Sequence, residues 1–383
     1  ILFLRYFFML IIIYLLSEYN ILNFKYFFIS AAFSSVVVSL DVIYQYIFGF
    51  NIIGLKSYGH HNSGFFGDEL IAGGFIQNFS FFSILFLAFI LNNKKNLKFI
   101  LTTVTICILG MGIMLSMNRM PLILFLFGLL LAFLFSNKLK KIIPISLICL
   151  LILFKFTLSS DAKIKTLYQS MLGDLASTFF QVKTIIVSSE PTLKNDSEKN
   201  DEEEASSTMI KEKDQYSIFK LKKLDFLNDK TPAARLLLTA IDTWKKNKIF
   251  GNGIKSFRID CFKLQGDEYN FGEDIVKSKK NRLCSNHPHN YYFEILTETG
   301  IVGIFITLMI AVLFLVFILK NFKLFKGNNI ENFILLAAII SLFLEVFPFK
   351  STGSVFTTND TTYIILISSI ILSYKKRQAM SIG

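Results

Sequence analysis

The sequence has few charged residues for its length, and this shortage excludes an ordinary soluble domain. Charged residues make up 18% of the 383 positions, whereas hydrophobic residues make up 53% and include 43 phenylalanines. A single soluble core in a chain of this size cannot bury so much apolar surface. We therefore expect lipid to cover the remainder, as in a membrane protein.

The N-terminal apolar run lacks the features of a cleaved secretory signal. It has no basic leader and no small-residue cleavage site, and the chain does not begin with Met. We interpret the sequence as N-terminally truncated. The runs also lack the polar stripe of helices that lie on a membrane surface, which favours spanning helices.

Nine mainly apolar runs approach the length of roughly 20 residues that a membrane helix needs. They lie near residues 1–17, 26–47, 69–91, 99–116, 120–135, 142–158, 293–319, 331–347 and 361–374. The fifth run is short. The fold that we predict is all-α: a polytopic transmembrane helical bundle with one large, mostly helical outer loop.

Positive charge is scarce in every second connection between the apolar runs, and this pattern predicts which side of the membrane each connection lies on. The net charge of +12 suggests nucleic acid at first, but the basic residues are spread over alternate short loops rather than over one face. We therefore expect no nucleic-acid partner. By the positive-inside rule, the segments near 48–68, 117–119, 159–292 and 348–360 lie outside the cytoplasm.

The predicted domains follow from this topology. Residues 1–158 hold the first six membrane helices, 159–292 form the outer loop domain, 293–375 hold the last three helices, and 376–383 form a cytoplasmic tail. Within the loop, residues 188–215 are highly charged and almost free of large apolar side chains, so we expect a disordered insert.

An amphipathic helix follows this insert. Thr231 is the expected N-cap and Pro232 the first helical residue, and apolar side chains recur at helical spacing up to Trp244. Gly251 and Gly253 come next. They either stop the helix, which we favour, or present backbone amides to a phosphate.

Histidine and cysteine are rare, and most of them lie in the predicted outer segments. The four histidines are His60, His61, His287 and His289. Cys261 and Cys284 also lie outside, where an oxidising compartment allows a disulfide, although two free thiols remain an alternative. His287 and His289 have no third ligand at metal-like spacing, so we expect no metal site.

The sequence SNHPHNYYFEILTETGIVGIF precedes and enters the seventh apolar run. His289 and Asn290, nine further residues, and then Gly300 and Gly303 resemble the HN-x9-GxxG signature of the O-antigen ligase and O-antigen polymerase superfamily. Ile304 departs from the Thr or Val that ligases favour. The segments SGFFGDELIAGG, SMNRMPLIL and AARLLLTAIDTWKKNKIFGNGIKSF are also similar to this family, so that the resemblance covers most of residues 60–375. Full-length ligases have twelve helices, and the loss of three N-terminal ones reconciles that number with nine.

The resemblance implies an enzyme of the bacterial inner membrane with its large loop in the periplasm. Such enzymes transfer a glycan from an undecaprenyl pyrophosphate carrier to an acceptor hydroxyl, without a metal and without a cofactor. The partners that it implies are the lipid-linked glycan, the lipid A-core or a growing glycan as acceptor, and membrane lipid.

The reaction needs a base and cations, and the sequence contains candidates for both. Histidine titrates near neutral pH, so His289 is the candidate general base. Arg119 and Arg235 are the candidates for binding the diphosphate, because guanidinium groups match phosphate oxygens bidentately. Asn290 is a further candidate for substrate binding. Asp68, Glu69 and Lys350 are more simply explained as anchors at the membrane interface.

Several functions remain open at this point. An O-antigen ligase acting on lipid A-core is the leading hypothesis, and an O-antigen polymerase is the main alternative. A protein oligosaccharyltransferase is a third enzyme of this kind. A lipid-glycan flippase without catalytic activity is less consistent with the sequence, since the charges and histidines lie outside the predicted helices rather than within them.

Overall fold

The computed structural model of the chain describes residues 4–19, 21–57, 61–170, 232–265, 276–277, 283–321, 327, 329–351 and 353–382. The predicted insert at 188–215, the predicted cap residue Thr231 and His60 lie outside these residues. The described structure is predominantly helical. Its sheet is one antiparallel pair of two-residue strands.

The first half of the chain consists of helices joined by short connections. The helices are α1 (Leu4–Glu18), α2 (Phe24–Phe48), α3 (Ala72–Ile90), α4 (Lys95–Leu115), α5 (Arg119–Phe135) and α6 (Ile142–Ser160). A short 3-10 helix (Gly64–Phe66) lies between α2 and α3, and residues 162–170 are also helical. Asn23 begins α2 by accepting a hydrogen bond from Lys25 N, and Gly49 ends it in a left-handed conformation.

The second half begins with the segment predicted to lie outside and returns to long apolar helices. Its elements are α7 (Pro232–Trp244), α8 (Phe257–Gln265), β1 (Val276–Lys277), β2 (Leu283–Cys284), α9 (Tyr291–Lys320), α10 (Ile330–Glu345) and α11 (Thr358–Ile382). The predicted amphipathic helix is confirmed as α7. Its residues Leu236 and Ala240 are buried against Phe257 of α8 and the two cysteines.

All nine predicted apolar runs form helices, namely α1 to α6 and α9 to α11. Within the described residues α2, α3, α4, α6 and α9 are long and apolar enough to cross a membrane, and α5 is a shorter apolar helix. The all-α polytopic fold is therefore confirmed, and the chain is a multi-pass membrane protein. The side of the membrane on which residues 159–292 lie stays a prediction.

Helix α3 is the centre of the bundle. It packs against α2, α4, α5 and α10, and fully buried side chains such as Phe81 and Phe82 fill the space between them. Further out, Phe127 of α5 contacts Phe347, which follows α10, with 5.5 Å between the ring centroids. Helices from the two halves of the sequence thus form one apolar core.

The connections assigned to the outside lie together at one end of this bundle. Asn62 Nδ2 donates to Leu115 O over 2.7 Å, which joins the α2–α3 loop to the end of α4. Asn118 Nδ2 donates to Leu70 O over 3.1 Å. Asn290 Nδ2 donates to Pro348 O over 2.7 Å, which joins the start of α9 to the turn after α10.

Gly300 interrupts α9, and the loop before α8 occupies the break. Gly300 has φ 68° and ψ −162°, which is not helical. Ile301 N donates to Lys248 O over 3.0 Å, and Gly253 N donates to Glu298 O over 2.9 Å. A Cβ on Gly300 would lie 2.2 Å from Ile249 O. Only glycine fits such a backbone approach.

The contact between this loop and α9 contradicts both interpretations of Gly251 and Gly253. Helix α7 ends at Trp244, well before either glycine. The amide of Gly253 bonds Glu298 O and that of Gly251 bonds Asn247 O, so neither is available to a phosphate. Both predictions were wrong, because the loop folds against α9 instead.

Candidate active site

The segment that enters α9 places His289 at the edge of the helix. Asn290 is the N-cap residue: its Oδ1 accepts hydrogen bonds from Tyr292 N at 3.0 Å and Phe293 N at 3.2 Å. Its Nδ2 donates to Pro348 O, and Tyr292 Oη donates to Val346 O over 2.6 Å. The start of α9 is therefore attached to the end of α10.

His289 adopts a left-handed backbone conformation, with φ 55°. This conformation is uncommon for residues other than glycine, and strained residues of this kind cluster at functional sites. The side chain is exposed. Its Nε2 lies 3.5 Å from Ser285 Oγ, and the ring centroid of His287 is 4.3 Å from that of His289.

A cavity of about 350 Å³ opens beside His289. Its walls come from α7, from β2 and the segment that follows it, and from the turn after α10. The lining residues are Leu236, Leu237, Leu283, Cys284, Ser285, Pro288, His289, Asn290, Phe349, Lys350 and Ser351. An apolar cavity with a few converging polar groups is the usual form of a small-molecule site.

Lys350, which lines the cavity, belongs to a buried ion pair. Lys350 Nζ is 2.5 Å from Glu345 Oε2, and the other carboxylate oxygen accepts a hydrogen bond from Tyr291 Oη over 2.7 Å. Lys350 is 7% exposed and Glu345 is 2% exposed. We had expected Lys350 to be an anchor at the membrane interface. That prediction was wrong, because the charge of Lys350 is paired inside the protein. Asp68 and Glu69 are exposed.

A disulfide joins Cys261 of α8 to Cys284 of β2, with 5.7 Å between the Cα atoms. This confirms the pairing and excludes two free thiols at these positions. Cys284 and its neighbour Ser285 both line the cavity. The disulfide thus attaches one wall of the cavity to α8.

A family model described as O-antigen ligase matches residues 103–308, which are more than half of the chain. The chain belongs to the O-antigen ligase family. The matched region contains His289 and Asn290 as well as both candidate arginines, but not Lys350. No curated protein and no solved structure matches the chain.

Of the two arginines in this O-antigen ligase family member, Arg235 lies nearer to the cavity. It is a half-buried residue of α7 and directly precedes Leu236 and Leu237, which line the cavity. The cavity thus combines residues from α7 and from the family motif, which are far apart in the sequence.

Arg119 does not line this cavity. It is the first residue of α5, is half-buried, and forms no hydrogen bond or ion pair within the described structure. Burial raises the pKa of the nearby Tyr168, and the Arg119 guanidinium partly opposes that rise. The structure brings His289 and Asn290 together, but it leaves Arg119 at a separate place on the same end of the bundle.

Residue types and spacing did not identify three polar residues of this region. Glu345 bonds Lys350 and is itself bonded by Tyr291 Oη. Glu294 accepts hydrogen bonds from Ser354 Oγ and from Val355 N at 2.7 Å, which fixes the turn before α11. The sequence did contain one signal for the ion pair of Lys350 and Glu345. Glu345 lies near the end of an otherwise apolar run, and ionisable groups in such runs usually have a partner.

Across the described ranges, no group of three or more His, Cys, Asp or Glu residues could hold a metal ion. The polar groups beside His289 are the imidazole of His287, a serine hydroxyl, an amide and an ammonium group, and the last three suit binding to hydroxyl and phosphate oxygens.

Proposed function

We propose that the chain is an O-antigen ligase of the bacterial inner membrane, with residues 159–292 in the periplasm. It would transfer a glycan from undecaprenyl pyrophosphate to a hydroxyl of lipid A-core. The observation that carries this proposal is the position of His289, which combines the family motif, a left-handed conformation and a place beside the cavity.

His289 is the general base of the proposed reaction. The imidazole takes the proton of the acceptor hydroxyl while that oxygen bonds to the anomeric carbon of the donor sugar. The bond from this carbon to the phosphate oxygen breaks, and the polyprenyl diphosphate leaves with the bonding electrons. Ser285, with its Oγ 3.5 Å from Nε2, helps to orient the ring.

Arg119 and Arg235 bind the diphosphate in this proposal. Negative charge grows on the leaving phosphate as the bond breaks, and a guanidinium stabilises it through two parallel hydrogen bonds. Arg119 is suited to this role because, among the described residues, no partner occupies its donors.

Asn290 combines a structural role with the proposed substrate contact. Its Oδ1 caps α9, and one hydrogen of its amide reaches Pro348 O. An amide nitrogen carries two hydrogens, so the second can donate to a substrate oxygen. This contact would place the acceptor next to His289.

The test is transfer of glycan from purified undecaprenyl pyrophosphate glycan to lipid A-core in detergent. We expect the wild-type protein to transfer and His289→Asn to lose at least roughly 100-fold in rate, the lower range for an acid–base group. Asparagine tolerates the left-handed conformation, so the fold should be retained. His287→Asn is the matched control and should keep most of the activity.

Lipopolysaccharide from a deletion strain distinguishes the ligase from the polymerase. Loss of all long chains together with accumulation of lipid-linked polymer indicates a ligase. Caps of a single repeat unit indicate a polymerase. A fully active His289→Asn protein would contradict the role of His289 as general base in either enzyme.

A further inference from the structure

Lys350 is a charged side chain enclosed by protein at the edge of the cavity. It is 7% exposed, and it lines the same cavity as His289 and Asn290. A buried ammonium is costly unless hydrogen bonds replace the water that it has lost. The hydrogen bonds that Lys350 forms therefore show how many acceptors a ligand would have to supply.

The ammonium group has more donors than the described structure uses. Lysine Nζ carries three hydrogens. Among the described residues, Glu345 Oε2 at 2.5 Å is the acceptor that bonds Nζ. Tyr291 Oη holds the other oxygen of the same carboxylate. Glu345 and Tyr291 thus fix the position of Nζ and leave two of its hydrogens for another acceptor.

The charges around Lys350 favour a neutral ligand over a diphosphate. The ammonium is already balanced by Glu345, and the carboxylate of Asp360 also interacts electrostatically with both groups. One ammonium beside two carboxylates provides no excess of positive charge for a diphosphate. It does provide donors for hydroxyl and ring oxygens.

We propose that Lys350 is a binding residue for the acceptor sugar, to whose oxygens it donates hydrogen bonds beside His289, with Glu345 and Tyr291 as positioning residues. This inference rests on the proposed transfer to a sugar hydroxyl. It adds that the cavity is the acceptor side of the site. The diphosphate of the donor binds elsewhere, at the arginines.

The first test measures binding of lipid A-core without O-antigen to the detergent-solubilised protein, with no donor present. We expect Lys350→Met to weaken this binding by roughly tenfold or more, as expected for the loss of a hydrogen bond to a charged group. Lys245→Met is the matched control, because Lys245 pairs with Asp242 at the exposed end of α7 and should leave the affinity unchanged.

Loss of Lys350 alone leaves Glu345 buried without its partner, so misfolding must be separated from lost binding. The double variant Lys350→Met with Glu345→Gln removes both charges and keeps an acceptor for Tyr291. We expect it to fold and still to bind lipid A-core weakly. Recovery of wild-type affinity in the double variant would show that the pair is only structural and would overturn the proposal.

Transfer kinetics provide the second test. The Lys350→Met protein should show a raised KM for lipid A-core and an unchanged KM for the lipid-linked glycan. A raised KM for the donor alone would assign Lys350 to the diphosphate and reject the acceptor role. A wild-type protein that binds lipid A-core through Lys350 but transfers nothing would refute the proposed function and leave this inference standing.

Discussion

At the scale of single residues, the conformation of His289 is maintained by its neighbours. Pro288 before it is buried, and Asn290 after it is fixed by three hydrogen bonds. A left-handed conformation costs a residue with a Cβ about 1–2 kcal/mol. The surrounding contacts offset this cost.

Arginine and lysine should not be equivalent at the two proposed diphosphate positions. We expect Arg119→Lys and Arg235→Lys each to raise the KM for the lipid-linked glycan by roughly tenfold, because lysine keeps the charge but loses the bidentate geometry. The measurement is the transfer rate at varied donor concentration. Arg258→Lys, at an exposed position of α8, is the control. Wild-type kinetics in both variants would remove the arginines from the mechanism.

The sequence suggested His289 as a candidate and allowed the disulfide that the structure shows, but it gave no indication of the ion pair between Lys350 and Glu345. Spacing within a motif is visible in a sequence because its residues are adjacent along the chain. Lys350 and Tyr291 meet through Glu345 only after α9 and α10 have packed together. Gly251 was misinterpreted for the same reason, since it fits against Glu298 and Thr299 of α9.

At the scale of elements, the contact between the loop at 248–253 and α9 makes two segments one unit. Four backbone hydrogen bonds cross the break in α9, and their donors are Asn252, Gly253, Ile301 and Val302. Backbone bonds of this kind do not depend on side-chain identity. The glycines are the sensitive positions, since they allow the two backbones to meet.

A methyl group at Gly300 should therefore separate the loop from the helix. We expect Gly300→Ala to destabilise the protein by roughly 3 kcal/mol, from the strained φ and the clash with Ile249 O, and to abolish transfer. Thermal unfolding in detergent and the transfer assay measure the two effects. Gly74→Ala is the control: no atom lies within 4 Å of the added methyl, so stability should be unchanged or slightly higher.

The disulfide should matter both for stability and for the cavity. The bonded cysteines are 23 residues apart, and closing a loop of this size stabilises a fold by about 3 kcal/mol. We expect Cys261→Ser to lower the unfolding temperature and to reduce binding of lipid A-core, because β2 forms one wall of the cavity. Cys149→Ser, at a free and half-buried cysteine of α6, should change neither. If Cys261→Ser bound lipid A-core as tightly as the wild-type protein, the position of β2 in the cavity wall would not depend on the disulfide.

At the scale of the whole molecule, the long apolar helices could be predicted because their cause is local. Each needs only a sufficient number of consecutive apolar residues, since an unpaired backbone is costly in lipid. How these helices pack is determined by contacts between distant residues. The central position of α3, for example, has no signature in its own sequence.

The orientation of the bundle can be tested by labelling with an impermeant thiol reagent. In a variant that lacks Cys107 and Cys149, cysteines at the exposed positions Asn93 and Asn137 should be protected in intact cells. A cysteine at the exposed Lys246 should be labelled, because the positive-inside rule places α7 outside. Permeabilised cells are the control and should label all three. The reverse pattern in intact cells would invert the topology.

In the proposed mechanism, the break at Gly300 also affects how far His289 lies from the lipid. Residues 301–319 carry no charged side chain, and at about 1.5 Å per residue they match a hydrocarbon layer of about 30 Å. If α9 continued straight, it would raise His289 by about 18 Å above that layer. The headgroups extend only about 5–8 Å from it. Because the helix is interrupted, the turns before Gly300 need not follow the membrane normal. This would allow the imidazole of His289 to reach the depth of the carrier phosphates in the proposed reaction.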